Sequence, residues 1–481
     1  MASLKKRLAL IKDLGLTQAS QLTNPAKEGR SGGRIVLEYE KSVGQALGAK
    51  RGQQSSSARQ SSSTSPGTYP PGLGAGWRQI GQHCFTKSTL SSFAVGDKFL
   101  LTIDIRMFEK LSRAGLGFVS GDYAKDYRVE LGTMTFFDLE TTGLSGGSGT
   151  IAFLAGLGYF EAGNFVVDQV FIDDFPGEMD FLSTILSYLE IRPTVVSYNG
   201  KAFDIPLLRT RCIMNGLPVP HFQSLDLLHP ARRLWSHALP SCSLQVLESA
   251  ILDVERENDI PGAFIPQIWL DYVKNGASFL TDGLRSDEDY DYGYDYSCQN
   301  VAGPRMNNVL THNEQDIVSL AKLFCTMISM VESSRQIGSA DITSLSHMVA
   351  ACGRIEAAIQ LLEQAGINGD ERALITLARY YRRGCYLGGR YPEEQYREKY
   401  RETVLRLNCI TFDSCIEKAK YWEHMEKNYK AALEASQKAM MILDTEAEQQ
   451  PSDKLLKLSR KKESVQKRIS RLNERLQRNL K

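Results

Sequence analysis

The sequence predicts an α/β unit, a mixed sheet flanked by helices, followed by an all-α unit of repeated helices. Three observations carry this. Short apolar runs separated by glycine-rich turns begin at Gly132 and then alternate with segments of helical period. Beyond about residue 340 the apolar period is helical throughout. Residues 354–365 and 428–439 align without gaps at an offset of 74.

The chain opens with a basic segment, 1–33, in which Leu4, Leu8, Ile11 and Leu14 stand at helical spacing among Lys5, Lys6, Arg7 and Lys12. This is an amphipathic pattern. Residues 34–75 follow as a linker; 53–66 hold seven serines in fourteen, then Pro70-Pro71-Gly72, a composition that builds no core. Residues 76–131 are a lead-in without a decisive period.

The α/β unit is expected over 132–335. Runs 133–137, 151–160 and 165–172 are strand-like, and Ala162-Gly163-Asn164 suits a hairpin connection. Leu182, Ile185, Leu186 and Leu189 predict a helix over 178–190, and 194–198 a fourth strand. Residues 204–215 read as a helix, 222–227 as a fifth strand, and 243–252 and 312–330 as further helices. An acidic insertion with no apolar period, 282–304, interrupts this order.

Helical repeats are expected over 340–445. The offset superimposes Ala357 on Ala431, Ala358 on Ala432 and Ala365 on Ala439, small residues that let helices pack closely. Residues 419–440 resemble a tetratricopeptide repeat, which implies a surface for a protein partner. In the tail, 454–481, Val465, Ile469, Leu472, Leu476 and Leu480 form an apolar stripe edged by Arg468, Arg471, Arg475 and Arg478. That helix either docks on the repeats or binds nucleic acid.

Of the 481 residues, 42% are hydrophobic and 23% charged, the composition of a chain that buries a core. The net charge of +1 is unevenly spread: +7 over residues 1–60, +9 over 454–481 and −15 between them. Basic ends on an acidic body suit contact with a polyanion, or a solvated helix face at each end. The longest apolar stretch, 151–160, is about half of what a bilayer-spanning helix requires. The nine cysteines include no Cys-x-x-Cys pair, against a disulfide framework or zinc knuckle. The expectation is a cytoplasmic protein with no membrane partner.

The chemistry concentrates in three places. Asp138 and Glu140 follow the first strand two residues apart, so both leave one face of an extended chain. Asp204 follows the fourth strand after Asn199-Gly200-Lys201, where it is a ligand or an ordinary helix cap. Asp316 lies four residues after His312, a rotation of only about 40° on a helix. Thr311 and Glu314 form a capping-box pattern that would start this helix. Carboxylates gathered at one end of a sheet repel unless cations neutralise them, and hard oxygen ligands favour two Mg²⁺ or Mn²⁺ ions. Such a pair lowers the pKa of an attacking water and stabilises a leaving oxygen.

Other residues add nucleic-acid contacts to this picture. Arg232 and Arg233 would hold phosphates bidentately, and Trp235 and Tyr198 would stack a base; the alternative is surface arginines and core aromatics. Asp226 is either a fifth acid or a strand-end cap. The run 146–149 joins two strands rather than a strand and a helix, which argues against a nucleotide-binding loop.

The segments Phe137-Asp138-Leu139-Glu140-Thr141-Thr142-Gly143-Leu144, Asn199-Gly200-Lys201-Ala202-Phe203-Asp204 and His312-Asn313-Glu314-Gln315-Asp316 resemble the three exonuclease motifs of the DEDD superfamily. Within it the YprB ribonuclease H-like family is the most similar. That similarity rests on Gly146-Gly147-Ser148-Gly149-Thr150 with Ala152-Phe153-Leu154, on 226–235, and on Asp259-Ile260-Pro261-Gly262. The resemblance spans about 200 residues. It implies a ribonuclease H-like fold with C-terminal repeats and metal ligands Asp138, Glu140, Asp204 and Asp316. It also implies His312 as the residue acting on the attacking water, and Thr141 and Asn199 beside Arg232 and Arg233 on nucleic acid. Three residues separate His312 from Asp316, where the superfamily has four after His or three after Tyr. The expected activity is 3′–5′ exonuclease hydrolysis of DNA or RNA; an idle binding scaffold and an endonuclease are the alternatives.

Overall fold

The structure, a computed structural model, describes residues 73, 75–94, 102–109, 128–143, 149–256, 259–275, 305–387, 392–449 and 455–479. The basic segment 1–33, most of the linker, residues 144–148 of the glycine-rich run and the acidic insertion lie outside them.

A seven-stranded sheet is built from Arg78–Gly81 (β1), Cys84–Ala94 (β2), Met134–Thr141 (β5), Ala152–Glu161 (β6), Asn164–Ile172 (β7), Thr194–Ser197 (β8) and Gln223–Asp226 (β9). Thr102–Asp104 (β3) and Arg128–Glu130 (β4) pair separately. The order is β1-β2-β7-β6-β5-β8-β9; β5, β8 and β9 run parallel and the other neighbours antiparallel. The lead-in therefore contributes β1 and β2 to one edge. Ala162 (φ 49°) and Gly163 (φ 82°) form a two-residue hairpin turn whose positive φ values match the strand twist. Asn164 already belongs to β7, opposite Glu161.

Helices cover both faces: Glu178–Ile191 (α1), Asp204–Met214 (α2), Leu228–Trp235 (α3), Leu244–Leu247 (α4), which continues as a π-helical turn over Glu248–Leu252, Ile265–Asn275 (α5) and Arg305–Ser333 (α6). The period-2 alternation of β5 decides which face each residue serves. Phe137 and Leu139 pack with Phe181, Ile185 and Leu208 from α1 and α2. Phe136 packs with Ile317, Leu320 and Phe324 from α6. Asp138 and Glu140 share the parity of Phe136, so they face α6.

Two expectations are corrected. The first strand continues beyond Phe137 to Thr141, because Asp138 and Glu140 still pair with Gly156 and Leu154 of β6. The acids are within the ladder rather than after it. The helix bearing His312 starts at Arg305, and Thr311 donates its hydroxyl to Asn307 O at 3.0 Å in mid-helix instead of capping. Met306, Val309 and Leu310 are buried and carry the apolar pattern upstream of the supposed cap.

Close approach of α6 to the sheet depends on β6. A Cβ on Gly156 would lie 2.5 Å from Ile317 Cγ1 and 2.7 Å from Asn313 Oδ1. Gly156→Ala is therefore expected to cost about 1–3 kcal/mol by overpacking and to shift α6. A fall in melting temperature checks it.

Beyond α6, Ile342–Ala351 (α7), Ile355–Ile367 (α8), Glu371–Leu387 (α9), Glu393–Leu405 (α10), Phe412–His424 (α11) and Tyr429–Gln449 (α12) pack as successive hairpins, followed by Leu455–Asn479 (α13). The alanine repeat falls on α8 and α12, the second helices of their pairs; Ala358, Ala365, Ala432 and Ala439 are buried. Leu345, Met348 and Val349 of α7 share a core with Phe136 and Phe324, so the apolar interior is continuous from the sheet into the helices. Val465 and Leu472 are buried as α13 docks on α12. No helix among the described residues is long and apolar enough to cross a membrane.

Candidate active site

Glu140, His312 and Asp316 bring one ligand atom each within 4.8 Å of one another. β5 supplies the first and α6 the other two. His312 Nε2 lies 3.9 Å from Glu140 Oε1 and 3.5 Å from Asp316 Oδ2. Asp138 sits on the same face and accepts a hydrogen bond from Asn313 Nδ2 at 3.0 Å. Gln169, buried in β7, holds Asn313 by donating to its Oδ1 at 3.2 Å and to Leu310 O at 2.8 Å.

Asp204 enters from the start of α2. Asn199 adopts φ 62°, turning the chain sharply after β8, and a Cβ on Gly200 would lie 2.9 Å from Asp204 Oδ2. Asp226 organises this turn, accepting from Asn199 N at 2.8 Å, Lys201 N at 3.3 Å and Leu228 N at 3.0 Å. It is a buried strand-end cap, and its charge still reaches Asp204.

The electrostatics are those of crowded acids. Burial, then the charges of Asp316 and Asp204, hold Asp138 well above the ordinary carboxylate range. Burial, then Asp138, Asp316 and Asp204, do the same to Glu140. Asp204 is pushed up to about 7, chiefly by burial. Burial also raises Asp316, with His312 and Arg256 opposing it. Four carboxylates that resist ionising together, with no sulfur among them, form a donor set suited to hard divalent cations. The residues present fit such ions.

Three residues with no role assigned from sequence complete the site. Asp259 Oδ1 lies 2.6 Å from His312 Nδ1. Arg256 Nη1 lies 3.3 Å from the same nitrogen, but two donors cannot share a bond, so the shorter contact decides that Nδ1 carries the proton. When the ring is neutral, this leaves His312 Nε2 as the acceptor facing Glu140 and Asp316. Burial raises Asp259, yet the hydrogen bond and charge of His312 outweigh it and hold the carboxyl low. Arg256 is 7% exposed, donates to both oxygens of Glu248 at 2.6 and 2.7 Å, and bonds Asp316 Oδ1. Glu248 belongs to the π-helical turn. Asp259 had a signal, its place in Asp259-Ile260-Pro261-Gly262; Arg256 and Glu248 had none. Asp259→Asn is expected to lower turnover roughly ten- to hundredfold, the usual cost of losing an orienting partner, with the melting temperature nearly unchanged.

Of the expected nucleic-acid contacts, Thr141 is half-buried and its hydroxyl donates to Gly143 O at 2.9 Å. Asn199 is half-buried at the turn. On α3, Arg232 is exposed and Arg233 partly so. Trp235 is fully buried and Tyr198 donates its hydroxyl to Cys242 O, so Trp235 is a core residue and cannot stack a base.

Residues 135–328 form an RNase H superfamily domain, matching the RNase_H_2 family model over that span. The chain is 29% identical over 357 residues to "Uncharacterized protein YprB" of Bacillus subtilis (strain 168), covering 73% of this chain and 76% of that protein. It is also similar to the family B DNA polymerase from the hyperthermophilic archaeon Pyrobaculum calidifontis, with a TM-score of 0.31 and 13% identity. That similarity covers 52% of this chain and 28% of the polymerase.

Proposed function

We propose that the chain is a metal-dependent nuclease that removes nucleotides from a 3′ end. One observation carries the reading: Glu140, His312 and Asp316 lie within ligand reach of one another, and Asp138 and Asp204 are near enough for their charges to act on Glu140, the five residues coming from the interior strand β5 and from α2 and α6. The four acids would hold two Mg²⁺ or Mn²⁺ ions, which when bound activate a water and stabilise the leaving oxygen. The chain's own residues do the rest. Asp259 orients His312, whose Nε2 takes a proton from the attacking water. Arg256, anchored by Glu248, fixes Asp316 Oδ1 and leaves Oδ2 facing the site. Asn313 fixes the rotamer of Asp138. Arg232 and Arg233 at α3 serve the strand's phosphates, and the helical hairpins offer a surface to a protein partner.

The 3′ polarity rests on the resemblance to DEDD exonucleases. It is tested with a 5′-labelled strand whose 3′ end is either free or blocked by a phosphorothioate cap. A ladder of shortened products from the free end alone supports the reading; equal cutting of the capped strand makes the protein an endonuclease.

A further inference from the structure

A second concentration of charge lies where α11, α12 and α13 meet. Arg468, Arg471, Arg475 and Arg478 follow one another at steps of three, four and three residues, on one helical face. Three of them converge on a single acid. Arg468 bonds Glu423 Oε2, Arg471 Nη2 lies 2.8 Å from its Oε1, and Arg475 Nη1 lies 3.5 Å from it. Glu423 is fully buried, so one negative charge faces three positive ones and the cluster keeps a positive excess.

Beside it opens a cavity of about 440 Å³ lined by Glu423, His424, Lys427, Tyr429, Arg475 and Arg478. Lys427 and Arg478 are exposed, and neither forms an ion pair among the described residues. Arg475 also stacks over the Tyr429 ring at 5.3 Å. Burial lowers His424; Glu423 opposes this, but Arg468, Arg471 and Arg475 act with the burial, as expected beside a surplus of cations. Docking α13 thus uses up only part of its charge.

We propose that this cavity binds the phosphodiester backbone of a nucleic-acid strand through Lys427, Arg475 and Arg478. Guanidinium forks match phosphate oxygens bidentately, and an aromatic ring at the wall suits a base rather than an acidic side chain. The inference rests on the reading of nucleic acid as substrate, but it is tested without turnover.

The experiment measures binding of a labelled single-stranded oligonucleotide to the full chain in EDTA, as a function of salt. Lys427→Ala combined with Arg478→Ala is expected to weaken binding roughly tenfold and to reduce the salt slope by about 1 to 1.5, two phosphate contacts' worth. Melting temperature confirms folding, and Lys427→Gln alone, in the turn between α11 and α12, should give about half the change in slope. Unchanged affinity and slope in both variants overturn the proposal. So does poly-glutamate that displaces the oligonucleotide as well as unlabelled DNA of equal charge, since the site would then read carboxylates. A chain that shows the expected loss of binding yet cuts nothing with Mn²⁺ keeps the cavity and loses the nuclease reading.

Discussion

Asp138→Asn and Asp204→Asn are each expected to abolish measurable Mn²⁺ binding by titration calorimetry and to lower hydrolysis by roughly 10³-fold or more. The magnitude follows from removing several kcal/mol of charge stabilisation at about 1.36 kcal/mol per tenfold in rate. Both carboxylates are buried beside other acids, Asp138 beside Asp316 and Asp204, and Asp204 beside Asp226, and an amide at either position subtracts an anionic oxygen without changing shape. A pH effect accompanies this. Asp204 rises from 3.8 to about 7 in the folded chain, and Asp138, Glu140 and Asp316 are raised as well. Raised folded-state values mean that the metal-free fold binds more protons than the unfolded chain. Stability is therefore fully present below the ordinary carboxylate range and is lost as pH rises towards 7 and beyond. The melting temperature of metal-free protein should fall across that window, Mn²⁺ should restore it, and both variants should flatten the decline.

His312→Ala is the second large effect, and it has a different signature. With Nδ1–H held by Asp259, Nε2 accepts a proton, and its loss should lower turnover by roughly 10²–10⁴-fold. Mn²⁺ affinity should persist, because four carboxylates remain. Asp316→Ala should instead lose metal affinity and turnover together. Thr311 caps nothing, so a purely helix-starting role for this turn is already disfavoured. Full turnover in folded His312→Ala would end its assignment as the proton acceptor.

How far the sequence revealed this site depends on the range of the signals. Asp138 and Glu140 were legible because a period of two fixes their face whatever the strand's end. Asp316 was legible from its four-residue spacing to His312. The start of α6 was misread because the Thr311–Glu314 pattern is local, while burial of Met306, Val309 and Leu310 against distant helices decides the boundary. Trp235 carried its own correction: Leu228, Ala231, Leu234 and Trp235 make an apolar face on α3, leaving Arg232 and Arg233 outside it. Arg256 and Glu248 had no period to reveal them. They meet Asp316 only because a π-helical turn and the chain after it return to α6, a tertiary event without a sequence signature.

The most direct test of the central claim incubates labelled single-stranded DNA and RNA with the full chain and with Asp138→Asn, in Mn²⁺ and in EDTA. Shortening of at least one substrate by the native chain in Mn²⁺, absent in EDTA and in the variant, is the result predicted. Intact substrates in every lane, or equal shortening by Asp138→Asn, would contradict the assignment of these carboxylates to a nuclease centre.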